Sequence, residues 1–156
     1  MEKMETIINP SPDIEAIQEH VRTEITKLIP NSRVELIGAM AVPMVGRPEI
    51  DLMIISNHIE EDSKVLVTAG YRQGPMVHGI SFLKRMEEGI EIAVQVMNSE
   101  NRMVNVHRNF IRILREDNDL RNRYEDFKRT LSGLSRDEYK RCKSVWIQEN
   151  LLPLLK

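Results

Sequence analysis

The stretch GAMAVPMVGRPEIDLM, residues 38–53, decides how the fold of this chain is interpreted. Two glycines and two prolines fall within its first eleven residues, which predicts an irregular connection and not a long helix or strand. The residues that follow, 49–56, are almost entirely apolar after Asp51, which is typical of a buried strand. A glycine-containing loop that leads into a buried strand is therefore the starting point for interpreting the rest of the chain.

Two acidic side chains stand at the entrance of that strand. Glu49 and Asp51 are two residues apart, so on a strand their carboxylates project from the same face. Such a pair, held on a rigid element, is one way to bind a divalent cation through oxygen ligands. The alternative is that both carboxylates are solvated, or accept hydrogen bonds from backbone amides at the strand entrance. The pair by itself leaves both interpretations open.

The spacing of apolar residues and of turn residues predicts the other elements. These are a helix that begins after the Ser11 cap and ends before Pro30, a strand over residues 33–38, a helix over about 59–69, two strands over about 77–85 and 90–97, and helices from residue 101 to about Leu152. A Glu-Glu-Gly turn makes the last two strands an antiparallel hairpin. The predicted class is α+β, with a mixed or antiparallel sheet, an N-terminal helix and a helical C-terminal segment.

The composition is that of an ordinary globular protein with one domain. The chain has 156 residues, of which 41% are apolar and 29% charged, and its formal charge is −2. No apolar run approaches the ~18 residues of a membrane-spanning helix, and the N-terminus lacks the apolar stretch of a secretory signal. The one cysteine, Cys142, excludes an intrachain disulfide and fits a reducing compartment. We therefore expect a cytoplasmic protein with no membrane partner.

Several short fragments together resemble the signature of the GrpB family, whose members have a nucleotidyltransferase fold. In the decisive stretch these fragments are Gly38-Ala39, Ala41-Val42-Pro43, Arg47-Pro48 and Ile50-Asp51. Further along they are Gly70-Tyr71, Phe110 with Leu114-Arg115, Tyr124 with Lys128, and Tyr139 with Lys143. The resemblance covers roughly residues 12–152. It implies a single domain over residues 1–156, with the sheet in about 12–98 and the C-terminal helices in about 101–152.

The resemblance also implies a site. In nucleotidyltransferases a glycine-serine turn contacts the triphosphate and strand carboxylates bind a divalent metal, because phosphoryl transfer needs positioning and charge neutralisation. Carried onto this chain, the catalytic residues are Asp51 and Glu91, and the ligands of a Mg²⁺ ion are Asp51, Glu91 and Glu49. The residues that contact the nucleotide or its phosphates are Gly38, Ala39, Arg47, Gln95, Arg112 and Lys128.

Departures from the family pattern make this active site partly degenerate. Ala39 replaces the serine whose hydroxyl would hold phosphate, and Met53 stands where the superfamily has a second carboxylate. The family's histidine-x-histidine strand falls at Ala93 and Gln95, which removes two groups able to bind metal or transfer protons. Glu91 lies on the same strand face as these two positions, and so remains a candidate partner for Asp51.

Three functions fit the sequence. The first is Mg²⁺-dependent nucleotidyl or phosphoryl transfer from a nucleoside triphosphate, the partner that the resemblance implies. The second is a non-catalytic module that senses a nucleotide or binds a protein. The third is a small RNA-binding protein, in which Arg112, Arg115 and Lys128 face the sheet and contact phosphates. Nucleic acid is the less favoured partner because the net charge is close to zero. The acceptor and the oligomeric state cannot be inferred from the sequence.

Overall fold

A computed structural model describes residues 4–155 of the chain. The helices are α1 Pro12–Leu28, α2 Ile59–Thr68, α3 Met103–Glu116, α4 Asn118–Thr130, α5 Arg136–Asn150 and α6 Leu152–Leu155. The strands are β1 Arg33–Ile37, β2 Glu49–Ile55, β3 Arg72–Val77, β4 Ile80–Glu87 and β5 Ile90–Met97. A 3-10 helix, Ala39–Ala41, lies in the connection between β1 and β2. The α+β class predicted from the sequence is confirmed.

The five strands form one mixed sheet in the order β1-β2-β5-β4-β3. Strands β2 and β5 are parallel, and every other neighbouring pair is antiparallel. In the parallel pair Glu49 lies opposite Glu91, and Asp51 lies opposite Ala93. The register therefore brings the acidic entrance of β2 beside the start of β5, in the middle of the sheet.

The two faces of the sheet serve different purposes. Alternate residues of β2 and β5, such as Ile50 and Val94, pack against α1 and α2 and form the main hydrophobic core. The intervening residues, which include Glu49 and Asp51, project from the opposite face. Helices α3, α4 and α5 contribute residues to the cavity on that second face. The sheet thus has one apolar face and one face that carries the polar side chains.

Two elements differ from the sequence expectations. Strand β3 was not predicted, because Gly74 and Pro75 are typical turn residues. In the structure they lie in an edge strand, at a position where its register with β4 shifts. Glycine and proline are both tolerated at such an irregularity of an edge strand. The last helix was expected to reach about Leu152. Instead α5 ends at Asn150, and Pro153 lies in the first turn of α6, where its missing N–H costs nothing.

The N-terminal segment joins the sheet to the helical region. The backbone N–H of Ile8 donates to the carbonyl of Gly46 at 2.8 Å, and that of Glu5 donates to the carbonyl of Leu134 at 2.7 Å. The Gly133 amide donates in return to the carbonyl of Glu5. These bonds hold the loop between β1 and β2 against the α4–α5 connection. Within residues 4–155, no helix combines the length and the apolar character needed to cross a membrane.

Candidate functional site

A cavity of about 360 Å³ opens between the polar face of the sheet and the C-terminal helices. We call it the cleft. One end is polar and is formed by the glycine loop, the start of β2, Lys128 of α4 and Lys143 of α5. The other end is apolar and includes Phe110 of α3 and Ile147 of α5. The mixture of an apolar wall with a few convergent charged groups is typical of a ligand-binding site.

The glycine at position 38 lets the loop pass directly over Asp51. Gly38 has φ +76° and ψ −169°, a region that is essentially restricted to glycine. A Cβ placed on it would lie 2.5 Å from Oδ2 of Asp51 and 3.1 Å from Cγ. Backbone conformation and space therefore both require glycine here.

Replacing Gly38 with alanine is expected to destabilise the fold by roughly 2–4 kcal/mol, because strain and the clash with Asp51 add. The matched control is Gly89→Ala, at φ +80° in the β4–β5 turn, where nothing lies within 4 Å of the added Cβ. That variant is expected to lose only about 1–2 kcal/mol. Urea unfolding measures both values. Equal losses in the two variants would show that the loop does not lie against Asp51.

The carboxyls of Glu49 and Asp51 lie close together on β2, and each changes the pKa of the other. Burial, and then the charge and hydrogen bond of Glu49, raise the pKa of Asp51 well above its ordinary value. For Glu49, burial opposes ionisation, but the hydrogen bond from Asp51 and the charge of Arg47 outweigh it and lower the pKa to about 2. Of the two carboxyls, Asp51 is therefore the one that holds a proton more readily and Glu49 the one that ionises more readily.

Two lysines face the cleft without acidic partners. Lys128 is 1% exposed, and its Nζ lies 4.5 Å from the centre of the Tyr124 ring. The Nζ of Lys143 lies 5.9 Å from the centre of the Tyr139 ring. Burial lowers the pKa of Lys128 to about 7, assisted by the charge of Lys143 and opposed by the charges of Glu125 and Asp51. Burial likewise lowers the pKa of Lys143, against the charges of Asp51 and Glu49. Among residues 4–155 neither ammonium group has a carboxylate within ion-pair distance.

Arg47, in contrast, is held by carboxylates. Its guanidinium forms a short ion pair with Glu49, and Nη1 lies 3.7 Å from oxygens of both Glu5 and Glu91. The Glu5 carboxylate is also bonded to Arg136 at 2.9 Å. Arg47 lines the cleft, but its charge is already neutralised. Its evident role is to orient the acidic side chains at the entrance of β2.

The helical wall also places a neutral histidine in the cleft. Nε2 of His107 lies 3.0 Å from Oε1 of Gln95. Burial lowers the pKa of His107, so the neutral ring is the main form at pH 7, and its Nε2–H donates to this oxygen. The bond fixes the Gln95 side chain against α3.

The acidic groups do not form a complete metal site by themselves. In the part of the chain that the structure describes, no group of three or more His, Cys, Asp or Glu side chains is arranged to hold a metal ion. Glu49 and Asp51 offer two carboxylates, and Glu49 is also bound to Arg47. Because Mg²⁺ is commonly held by one or two carboxylates together with substrate phosphates, this donor set fits a cation that arrives with a phosphate ligand. It does not fit a resident metal with protein ligands alone.

Most of the residues proposed from the sequence line the cleft: Gly38, Ala39, Arg47, Glu49, Asp51, Gln95 and Lys128. Two others are not brought there. Glu91 is engaged by Lys84 at 3.3 Å and by Arg136 at 3.6 Å. Arg112 is exposed and pairs with Glu116 at 3.5 Å along α3.

Arg115, which was also proposed to contact phosphate in an RNA-binding protein, is engaged elsewhere. Arg115 donates to the carbonyls of Val42 and Ala41 at 2.8 and 2.5 Å, and so braces the loop. On the outer surface of the helical region, ion pairs join Arg108 to Glu35, Arg123 to Asp119 and Arg129 to Asp126. Much of the basic character seen in the sequence is thus neutralised.

Sequence reasoning did not assign Lys143, Tyr139 and His107 to the site. A signal was present, because Tyr139, Lys143 and Ile147 are spaced by four and share one helix face. The same spacing joins Tyr124 to Lys128. A lysine placed on an apolar helical stripe is therefore the pattern that would have identified Lys143 in addition to Lys128.

The five-stranded mixed sheet and its flanking helices have the nucleotidyltransferase-like fold. The non-canonical poly(A) polymerase complex GLD-2–GLD-3 has this fold, with a TM-score of 0.55 and 17% identity over 78% of this chain and 45% of that one. More specifically, the chain belongs to the GrpB protein family, whose model matches residues 6–152.

Two relatives support this assignment. The crystal structure of the conserved protein GrpB from Enterococcus faecalis superimposes with a TM-score of 0.84 and 21% identity, and covers 96% of each chain. The UPF0157 protein from Vibrio cholerae is 29% identical over 133 residues, which are 82% of this chain and 70% of that protein.

Proposed function

We propose that the cleft binds the triphosphate of a nucleoside triphosphate. The observation that carries this proposal is the pair of lysines, Lys128 and Lys143, that face the cleft without carboxylate partners among residues 4–155. A buried ammonium group without a counter-ion is unfavourable, and a phosphate would supply both the charge and the hydrogen-bond acceptors. A lysine buried in a cleft with no carboxylate at ion-pair distance is therefore well placed to bind an anion.

The loop and the carboxylates complete the proposed site. Gly38 keeps the backbone close to Asp51 with no side chain in between, so phosphate oxygens can approach both. A Mg²⁺ ion bound with the triphosphate would be held by Asp51 and Glu49, and would neutralise charge on the phosphates. Asp51 would release its proton when the cation is present. The fold shared with a poly(A) polymerase supports nucleotidyl transfer, in which an acceptor oxygen attacks the α-phosphorus and pyrophosphate leaves.

Nucleotide binding is expected to take up protons and to weaken as the pH rises above about 7. Lys128 has a pKa of about 7 in the free protein, so at pH 8–9 it must regain a proton when a phosphate binds. The expected loss of affinity approaches tenfold per pH unit for one linked proton. Isothermal titration of ATP with a chelator between pH 7.5 and 9, in buffers of different ionisation enthalpy, measures the proton uptake at Lys128; the same titration with Mg–ATP gives the net value, from which the proton that Asp51 would release to the cation is obtained by difference.

The matched control is Lys128→Arg, because arginine stays charged throughout this pH range. It is expected to bind Mg–ATP with a flatter pH dependence and less proton uptake. If the wild type and this variant have the same pH profile, Lys128 does not contact the phosphates. The same pKa shift makes the stability of the free protein depend on pH. Between pH 7 and about 10.5, Lys128 binds a proton more readily in the unfolded chain than in the native chain. The contribution of Lys128 to the free energy of unfolding therefore rises with pH over this range.

A second candidate function is nucleotide sensing without catalysis. Met53, at the position of a second carboxylate, is 0% exposed and packs in an apolar cluster with Ile37 and Val104. Asp51 therefore has a single acidic neighbour in the cleft, Glu49, within the described residues. A sensor would bind nucleotide without releasing pyrophosphate. Asp51-dependent pyrophosphate release from ATP or GTP would establish the catalytic function instead.

A further inference from the structure

The N-terminal segment places a buried carboxylate near the acidic entrance of β2. Glu5 is only 4% exposed, and its backbone bonds to Gly133 and Leu134 fix it against the α4–α5 connection. Its carboxylate lies beside two guanidinium groups. Nε of Arg136 donates to Oε1 at 2.9 Å, and Nη1 of Arg47 lies 3.7 Å from Oε2. Sequence reasoning assigned no function to Glu5.

The guanidinium of Arg47 connects Glu5 to the cleft. Its Nη2 is bonded to Glu49, whereas Nη1 lies 3.7 Å from carboxylate oxygens of both Glu5 and Glu91. Glu49 therefore shares Arg47 with two other carboxylates. Because part of the positive charge is neutralised from the other side of the guanidinium, Arg47 attracts Glu49 less strongly than it would alone. The Glu49 carboxylate consequently retains more attraction for a cation in the cleft.

Six charged side chains form a cluster next to the polar end of the cleft. Glu91 completes it, because its carboxylate lies 3.3 Å from Lys84 and 3.6 Å from Arg136. The six members are Glu5, Arg47, Glu49, Lys84, Glu91 and Arg136. Three are carboxylates and three are cationic groups, so the cluster has no net charge. Neutralising Glu5 alone leaves one excess positive charge, and neutralising Arg136 alone leaves one excess negative charge.

The charges of this cluster act on one another because water screens them poorly. The side chains of Glu5, Arg47, Glu49 and Glu91 are largely buried. The hydrogen bond to Glu5 raises the pKa of Arg136 against the effect of burial, and the charge of Glu49 contributes to the same shift. A change of charge at Glu5 is therefore expected to reach Glu49.

We propose that Glu5 is a positioning residue for the cation that binds with the nucleotide. It acts through Arg47: it holds Nη1 and neutralises part of the guanidinium charge, which leaves the Glu49 carboxylate able to attract the cation. Arg136 has the opposite effect, because its positive charge competes for the same carboxylates. The inference rests on the function proposed for the cleft, and adds to it two residues that do not line the cleft.

The test compares the affinity for ATP with Mg²⁺ and with a chelator, by isothermal titration. Glu5→Gln keeps the side-chain length and an acceptor for Arg136, so the change is mainly one of charge. In this variant the gain in affinity from Mg²⁺ is expected to be at least about threefold smaller than in the wild type, because the excess positive charge repels the cation. In Arg136→Gln the excess charge is negative, and the gain is expected to be at least about threefold larger.

The double variant Glu5→Gln/Arg136→Gln and an exposed control separate charge from structure. The double variant has a balanced cluster, and its gain from Mg²⁺ is expected to return to within about twofold of the wild-type value. Glu15→Gln removes a carboxylate at an exposed position of α1 and is expected to keep the wild-type gain. Thermal unfolding monitors the fold of every variant. Arg136→Gln alters a side chain that is 36% exposed, and it tests the proposal by itself if Glu5→Gln does not fold.

Opposite changes in the two single variants are the result that supports the proposal, since a purely structural role would weaken binding in both. Single variants that keep the wild-type gain from Mg²⁺, or that change it in the same direction, would overturn the proposal and leave nucleotide binding by the cleft intact. A wild-type protein that does not bind Mg–ATP would overturn the function proposed for the cleft, and this inference with it.

Discussion

Replacing Lys128 with methionine is expected to weaken nucleotide binding strongly and at the same time to stabilise the protein. Lys128 is fully buried, has an ammonium group without a carboxylate partner between residues 4 and 155, and packs on the Tyr124 ring. Methionine has a similar length and satisfies an apolar site, so it removes the cost of a buried unpaired charge, about 1–3 kcal/mol. The lost charge-assisted contact is expected to weaken binding by at least about 10–100-fold.

The opposite signs of the two effects distinguish a binding residue from a structural one. Isothermal titration with Mg–ATP at pH 7 gives the change in affinity, and thermal unfolding without nucleotide gives the change in stability. Lys140→Met is the matched control, because Lys140 is an exposed lysine of the neighbouring helix α5 and does not line the cleft. It is expected to change neither quantity appreciably. A Lys128→Met protein that is less stable and binds Mg–ATP normally would assign Lys128 to the core alone.

Replacing Asp51 with asparagine is expected to abolish the effect of Mg²⁺ on nucleotide binding while leaving the fold intact. Burial and the charge of Glu49 raise the pKa of Asp51, which favours its neutral carboxyl in the free protein. Asparagine has the shape of this neutral form and can donate the same hydrogen bond to Glu49. It cannot become an anion when a cation binds. The variant is therefore expected to change the Tm little.

The measurement compares the affinity for ATP with Mg²⁺ and with a chelator. The wild type is expected to bind at least about tenfold more tightly with Mg²⁺, and Asp51→Asn is expected to bind equally in both conditions. Asp119→Asn, at an exposed carboxylate of α4, is the control and should keep the wild-type ratio. If Asp51→Asn keeps that ratio too, the cation does not bind at Asp51.

Much of the fold followed from local sequence features. The Ser11 cap and Pro12 define the start of α1, and the side chain of Ser11 accepts from the Ile14 amide as that cap requires. The loop at 38–48 and the strand after it were also predicted. Strand β3 was not, because its Gly74 and Pro75 have the local preferences of a turn, and only pairing with β4 makes this segment a strand.

The candidate site was less predictable, because its residues meet only through tertiary packing. The strand period placed Glu91 on the face of Asp51, but it could not reveal that Lys84 and Arg136 bind that carboxylate. Arg112 and Lys128 both looked like basic residues of amphipathic helices. Only the packing of α3 and α4 exposes the first and buries the second beneath the loop, where a Cβ on Gly46 would lie 3.5 Å from the lysine Nζ.

The most direct measurement is a crystal structure of the protein with Mg²⁺ and a non-hydrolysable ATP analogue. The triphosphate is expected within hydrogen-bonding distance of Lys128 Nζ and Lys143 Nζ, with the cation bound to Asp51. A triphosphate bound instead on the outer arginines of α3 and α4, with both lysines still free of phosphate contacts, would contradict the proposed role of the cleft.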